Sequence, residues 1–173
     1  MIERTVHNPS GDAPAKGVRL GVDVGTVRVG VARSDPAGIL ATPVTTLMRT
    51  AQQASSRKSG DKADLTPDLA ALRDLVAEHD VVEVVVGLPT TLRGMEGSAV
   101  TAARAYGQAL AVVIAPVPVI YVDERLTTVT ADRLLTQAGV QGKARRAVVD
   151  QVAATRILQN RLDQLAGGGT HRE

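Results

Sequence analysis

The sequence predicts a single α/β domain, a mixed five-stranded sheet covered by helices. Three observations lead there. Between Val18 and Met48 the chain carries three apolar, β-rich runs separated only by short polar breaks, which reads as three successive strands. From Val81 onward, β-branched runs alternate with helical patterns, the mark of parallel crossovers. A chain of 173 residues with 44% apolar content is also large enough for one well-buried core. The predicted order, β-β-β-α-β-α-β-α-α, is an antiparallel meander extended by right-handed parallel crossovers.

The elements follow in order. Residues 1–17 are polar and contain Pro and Gly, so a disordered tail is expected before a domain spanning 18–165. Val18–Gly25 and Arg28–Ser34 are strands joined by a tight Gly-Thr-Val turn, and Thr42–Met48 is the third strand. The polar stretch Arg49–Leu65 reads as a mobile loop. Thr66-Pro67-Asp68 opens a helix, with Pro at its first position and an acid in its first turn. Leu69, Leu72, Leu75 and Val76 form its apolar stripe.

Val81–Gly87 reads as a buried parallel strand, and Gly87 to Gly94 as a loop leading to a helix over Ser98–Val112. Val117–Asp123 is the fifth strand. Thr127 caps a helix reaching Gln137, and Gly139 ends it. Gln141–Arg145 is expected to be a basic loop, Arg146–Leu165 the last helix, and residues 166–173 a flexible tail.

Composition narrows the function. No apolar run is long enough to span a bilayer, and the N-terminus lacks a secretory apolar segment. The chain has no cysteine, which excludes disulfides and fits a reducing cytoplasm. His7, His79 and His171 are too scattered for a zinc site. Tyr106 and Tyr121 are the only aromatic residues, which argues against a base-stacking platform. The net charge is only +2, yet Lys143, Arg145, Arg146, Arg156 and Arg161 face the single acid Asp150 in one stretch. Such a stretch suits a phosphate-rich partner; the plainer alternative is a solvated helix face with a C-terminal cationic bias.

The chemistry-bearing residues are acids in unusual places. Alternation places Gly21, Asp23 and Gly25 on one face of the first strand. A carboxylate between glycines has room beside it for an ion or a phosphate, although Asp and Gly also serve ordinary turns. Asp123 and Glu124 close the fifth strand, at the carboxyl edge where α/β sheets place their sites. Asp150 lies in the last helix with Ala147, Ala153, Ala154 and Ile157 as its helical neighbours. An acid on such a face needs a partner, either an arginine (Arg146 or another) or a metal ion. The small residues of that helix can approach the glycine face of the first strand and bring Asp150 towards Asp23. Carboxylates without His or Cys are the ligand set of Mg²⁺ or Mn²⁺, the ions with which nucleases neutralise a scissile phosphate.

Four motifs then occur in order: Asp23-x-Gly25-x-x-Arg28-x-Gly30; Gly87-Leu-Pro89 with Gly94; Asp123-Glu-Arg-Leu-Thr-Thr128; and Val149-Asp150 with Ala153-Ala154. In this order the chain resembles the YqgF family of RNase H-like proteins, also called RuvX or pre-16S rRNA nucleases, from roughly Val18 to Asp163. The resemblance implies an RNase H-like fold with sheet order 3-2-1-4-5, a cytoplasmic location and nuclease activity. The implied process is 5′-end maturation of pre-16S rRNA. Distant kinship to RuvC-type resolvases implies Holliday junction cleavage as the alternative, by a homodimer where a monomer suffices for RNA.

The family's acids carry over onto Asp23, the Asp123–Glu124 pair and Asp150. RNase H-like enzymes usually place an acid at the end of strand four, where this chain reads Gly87-Leu88-Pro89. The pair on strand five lies two strands from Asp23, roughly 10 Å at about 4.8 Å per strand. Two metals roughly 4 Å apart bridge part of such a gap. Glu124 reaches further and alternation sends the two acids to opposite faces, so the expected metal ligands are Asp23, Glu124 and Asp150. Asp123 is then expected to pair with Arg125 or Arg28.

Arg28, Arg93 and Arg125, at the motif-bearing edge, are candidate phosphate contacts, with Lys143, Arg145 and Arg146 gripping a more distant phosphate. Two other classes compete with a nuclease. Asp-x-Gly-Thr also resembles the phosphate loop of actin-like and sugar-kinase ATPases, which need two such domains where this chain supplies one. A non-catalytic nucleic-acid-binding module would keep the surface and lack the chemistry.

Overall fold

A computed structural model describes residues 15–49, 65–89, 97–123 and 142–167, the last stretch with side chains from residue 148. The expected N-terminal tail up to residue 14, the loop across 50–64, the Thr127–Gln137 helix and the tail beyond 167 lie outside the described residues.

The five strands are β1 (Arg19–Val24), β2 (Arg28–Ser34), β3 (Ala41–Met48), β4 (Glu83–Leu88) and β5 (Val119–Asp123). They form one sheet in the order β3-β2-β1-β4-β5, as the resemblance implied. β1 pairs antiparallel with β2 and parallel with β4, while β3 and β5 are the edges. The helices are α1 (Pro67–Glu78), α2 (Ser98–Val113) and α3 (Gly142–Gly167).

Alternation divides the sheet into two buried faces. Leu20, Val22, Val29, Val31, Val84 and Val86 pack on Leu69, Leu72 and Val76 of α1 and on Tyr106 and Leu110 of α2. On the opposite face Ala32, Ala41, Val85 and Val122 meet Ala154, Ile157, Leu158 and Leu162 of α3. The molecule is thus an α/β/α sandwich with α3 alone on its side, among the described residues. The side chains at its centre, such as Leu20, Leu72, Leu110 and Leu158, are fully buried. Each contributes on the order of 2 kcal/mol through area removed from water.

Element starts differ from the sequence expectation for local reasons. α1 ends in a Schellman closure: the Val81 N–H donates to the Val76 carbonyl at 3.0 Å and the Asp80 N–H to that of Ala77 at 3.4 Å. Asp80 takes the left-handed conformation (φ 48°) usually left to Gly or Asn. Val81 therefore belongs to the helix terminus, and β4 begins at Glu83. β5 starts at Val119 because the Val117 N–H donates back to Ile114 and Pro118 has no N–H to give. α3 begins at Gly142, so Lys143 and Arg145 are helical rather than part of a basic loop.

A charge cluster clamps the amino-terminal end of β1 and β4. Glu83 accepts two hydrogen bonds from Arg161 of α3, both at 3.0 Å, and lies 3.4 Å from Arg19. The Arg19 and Glu83 side chains are 6% and 12% exposed, and burial this deep makes the partners mutually dependent. Arg161, counted in the basic stretch read from sequence, is committed to this end of the sheet. No described helix is long and apolar enough to cross a membrane.

Candidate functional site

Asp23, next to last in β1, stands on the face that α3 covers. It shares that face with Gly21, where an added Cβ would stand 2.6 Å from the Ala154 carbonyl oxygen and from Leu158 Cβ. Its cross-strand partner on β2 is Gly30, and paired residues of neighbouring strands project to the same face. At Gly30 an added Cβ would collide with the backbone carbonyl of Asp150. The α3 main chain therefore lies directly on the sheet beside Asp23, with Cα atoms of the Asp23–Gly30 pair about 5 Å apart. On the other flank, continuing the Val22–Val86 register brings Asp23 level with Gly87 of β4. Asp23 thus has Gly21, Gly30 and Gly87 as its nearest residues on this face of β1, β2 and β4.

Arg28, two residues before Gly30 on the same face, completes the arrangement. Its Nε donates to Asp150 Oδ2 at 2.7 Å, and the two side chains are 26% and 21% exposed. Asp150 thus takes an arginine from β2, 122 residues away in sequence, the distant alternative to Arg146 that the sequence left open; the side chain of Arg146 lies outside the described residues. Of the partners expected for Asp123, Arg125 lies outside the described residues and Arg28 gives its Nε to Asp150. Asp123 is exposed and alternates with Tyr121, which packs with Leu88, Val100 and Ala103 on the α2 face. It stands on the opposite side of the sheet from Asp23 and Asp150.

Glu124, Arg93 and Arg125 lie outside the described residues. Lys143, Arg145 and Arg146 occupy the first turns of α3, which carry no acid. Among the described residues no three His, Cys, Asp or Glu side chains gather closely enough to enclose a metal ion.

Sequence reasoning missed the support beneath the β1–β2 turn. Arg49, assigned from sequence to a loop, closes β3 against that turn: its N–H donates to the Val27 carbonyl at 2.8 Å and its Nη1 to that of Gly25 at 2.9 Å. Its guanidinium sits 5.4 Å from the centre of the Tyr106 ring, a cation–π distance. The Tyr106 hydroxyl in turn donates to Asp68 Oδ2 at 2.9 Å. Asp68, read from sequence only as a helix-start acid, is 3% exposed. Burial first, then the Asp68 hydrogen bond, pushes the Tyr106 phenol well above its usual range near 10, so it remains a donor at any physiological pH. Tyr106→Phe should cost about 2 kcal/mol by stripping a buried carboxyl of its donor. Thermal melting should show that cost as a lowering of about 4–8 °C.

A family profile described as "RuvX: Holliday junction resolvase" matches residues 17–164. The chain belongs to the RuvX family. Its relatives include proteins named "Putative pre-16S rRNA nuclease" from Rhodococcus opacus and Mycobacterium leprae. The first is 47% identical, covering 94% of this chain and 86% of the relative. The second is 52% identical, covering 93% and 84%. Among solved structures, Thermus thermophilus RuvC in complex with a Holliday junction substrate superposes with a TM-score of 0.51. That superposition spans 87% of this chain and 96% of RuvC at 13% identity, which supports the RNase H-like fold. The RuvX profile and the named relatives both describe nucleases, and they differ over the nucleic acid cut.

Proposed function

We propose that this RuvX-family chain is a divalent-metal-dependent nuclease hydrolysing phosphodiester bonds in structured nucleic acid, foremost in 5′-end processing of pre-16S rRNA. One observation supports the reading: the Asp150 backbone rests on Gly30, immediately across from Asp23, so two acids far apart in sequence share one face of the sheet. Their all-oxygen donor set fits Mg²⁺ or Mn²⁺. Mg²⁺ commonly takes one or two carboxylates, leaving the remaining positions to water and substrate phosphate. Of the strand-five pair, we take Glu124 as the third carboxylate, since Asp123 shares the α2 face. An ion held by these acids would supply Lewis-acid charge at the scissile phosphate.

The chain's own groups supply the rest. Lys143, Arg145 and Arg146 open α3, where the helix dipole disfavours cations. Their placement therefore works against the helix and is suited to gripping phosphate. Arg28, Arg93 and Arg125 are the proposed contacts nearer the reacting bond. Rings for base stacking are scarce, so shape and backbone dominate recognition.

The names of the relatives favour pre-rRNA; the family description favours four-way DNA. A cleavage panel separates them: precursor rRNA and a four-way junction, each with Mg²⁺, Mn²⁺ or a chelator. Metal-dependent cleavage of precursor RNA, abolished by the chelator, is the expected outcome. Junction cleavage by a dimer in solution would transfer the function to resolution, and cleavage of neither would leave a binding module. A cytoplasmic location follows from the reading with rRNA as substrate.

A further inference from the structure

The Arg28–Asp150 ion pair joins the acid that would hold a metal to a cation suited to a phosphate. We propose that Arg28 is an exchangeable counter-ion: Asp150 holds it when no metal is bound, and metal occupancy releases it to a phosphate of the nucleic acid. The proposal rests on the metal reading above. A carboxylate already accepting a guanidinium at 2.7 Å presents less negative potential to a dication, and a dication beside a guanidinium is repelled. A substrate phosphate resolves the conflict, because guanidinium pairs with phosphate as readily as with carboxylate. The pair is only about one quarter exposed, so solvent screens the competition incompletely. Metal and nucleic acid then favour each other's binding, and by linkage the coupling is reciprocal.

The position of Arg28 makes the exchange feasible. It is the first residue of β2, next to the β1–β2 turn, where its side chain can swing from α3 towards the sheet end without disturbing the buried Val29 and Val31. Asp150 is fixed independently of Arg28, because its main chain is seated on Gly30.

The sign of one measurement separates this role from simple scaffolding. Mn²⁺ affinity, measured by calorimetry or electron paramagnetic resonance without nucleic acid, should rise about 10-fold in Arg28→Gln and Arg28→Ala, a change that corresponds to about 1.4 kcal/mol. Arg28→Lys, which keeps the charge, should stay within about 3-fold of the parent. If Arg28 merely positioned Asp150, the neutral variants would bind Mn²⁺ more weakly. Unchanged or weaker binding in both neutral variants, with normal thermal melting, overturns the proposal. In the presence of Asp150→Asn, Arg28→Gln should no longer tighten Mn²⁺ binding; persistence of its effect also overturns the proposal. In the cleavage assay, the Mn²⁺ concentration for half-maximal rate should fall as substrate rises for the parent and change little for Arg28→Gln. Asp23→Asn and Asp150→Asn serve as controls on the metal reading. If neither weakens Mn²⁺ binding, that reading fails and takes this proposal with it. If both weaken it and Arg28→Gln leaves it unchanged, only the counter-ion role is lost.

Discussion

Asp23→Asn should lower the cleavage rate by more than about 100-fold while leaving the fold intact. Even residues that merely support a metal ligand are typically worth 10–100-fold, and Asp23 is the acid around which the whole arrangement is built. The substitution keeps the shape of the side chain and removes its charge. Asp23 is only partly buried, so the expected change in stability is within about 0.5 kcal/mol. Nucleic-acid binding should persist, because the cations proposed to grip phosphate are untouched. Undiminished hydrolysis by the purified variant, with its melting temperature preserved, would refute the assignment. The variant also guards against trace contaminating nuclease, which would not respond to it.

Gly30→Ala should be the most damaging single-methyl change on the α3 face. The new Cβ would fall on the Asp150 carbonyl, and main chain on both sides leaves no rotamer that could relieve the collision. Overpacking typically costs 1–3 kcal/mol; with backbone as the obstacle, about 3 kcal/mol is expected. For a chain of this length that is a fall of about 6–12 °C in Tm. Relief requires α3 to lift from the sheet, which carries Asp150 away from Asp23. A displacement near 1 Å is enough for about a 100-fold loss in rate. Gly167→Ala is the control, since an added Cβ there meets nothing within 4 Å; melting and activity should match the parent. Full activity in Gly30→Ala would show that the seat of α3 on Gly30 does not set the position of Asp150.

The fold was legible where local pattern and tertiary role agree. The three strands up to Met48 declare themselves by alternation, and Gly21 and Ala154 are small because helix and sheet nearly touch there. Element starts were harder. Val81 has the composition of a strand, yet the end of α1 uses its N–H. Lys143 and Arg145 were read as part of a basic loop after Gly139, and the last helix begins before both of them, at Gly142.

At the candidate site, the drawing together of Asp23 and Asp150 was anticipated from glycine and alanine spacing. Which arginine would pair with Asp150 was not, since nothing local ties residue 28 to residue 150. Tyr106, Asp68 and Arg49 were equally hidden, because a buried carboxyl at a helix start resembles an exposed one in sequence. Alternation sends Asp123 and Glu124 to opposite faces; β5 places Asp123 on the α2 face, and Glu124 lies outside the described residues.

The glycine frame around Asp23 also limits how such a protein can diversify. Side-chain walls can be resized one substitution at a time, but a wall of peptide units moves only when a strand or helix moves. The separation of the two acids is therefore inherited from sheet register and from the tilt of α3. Substitutions of exposed side chains elsewhere leave those dimensions unchanged.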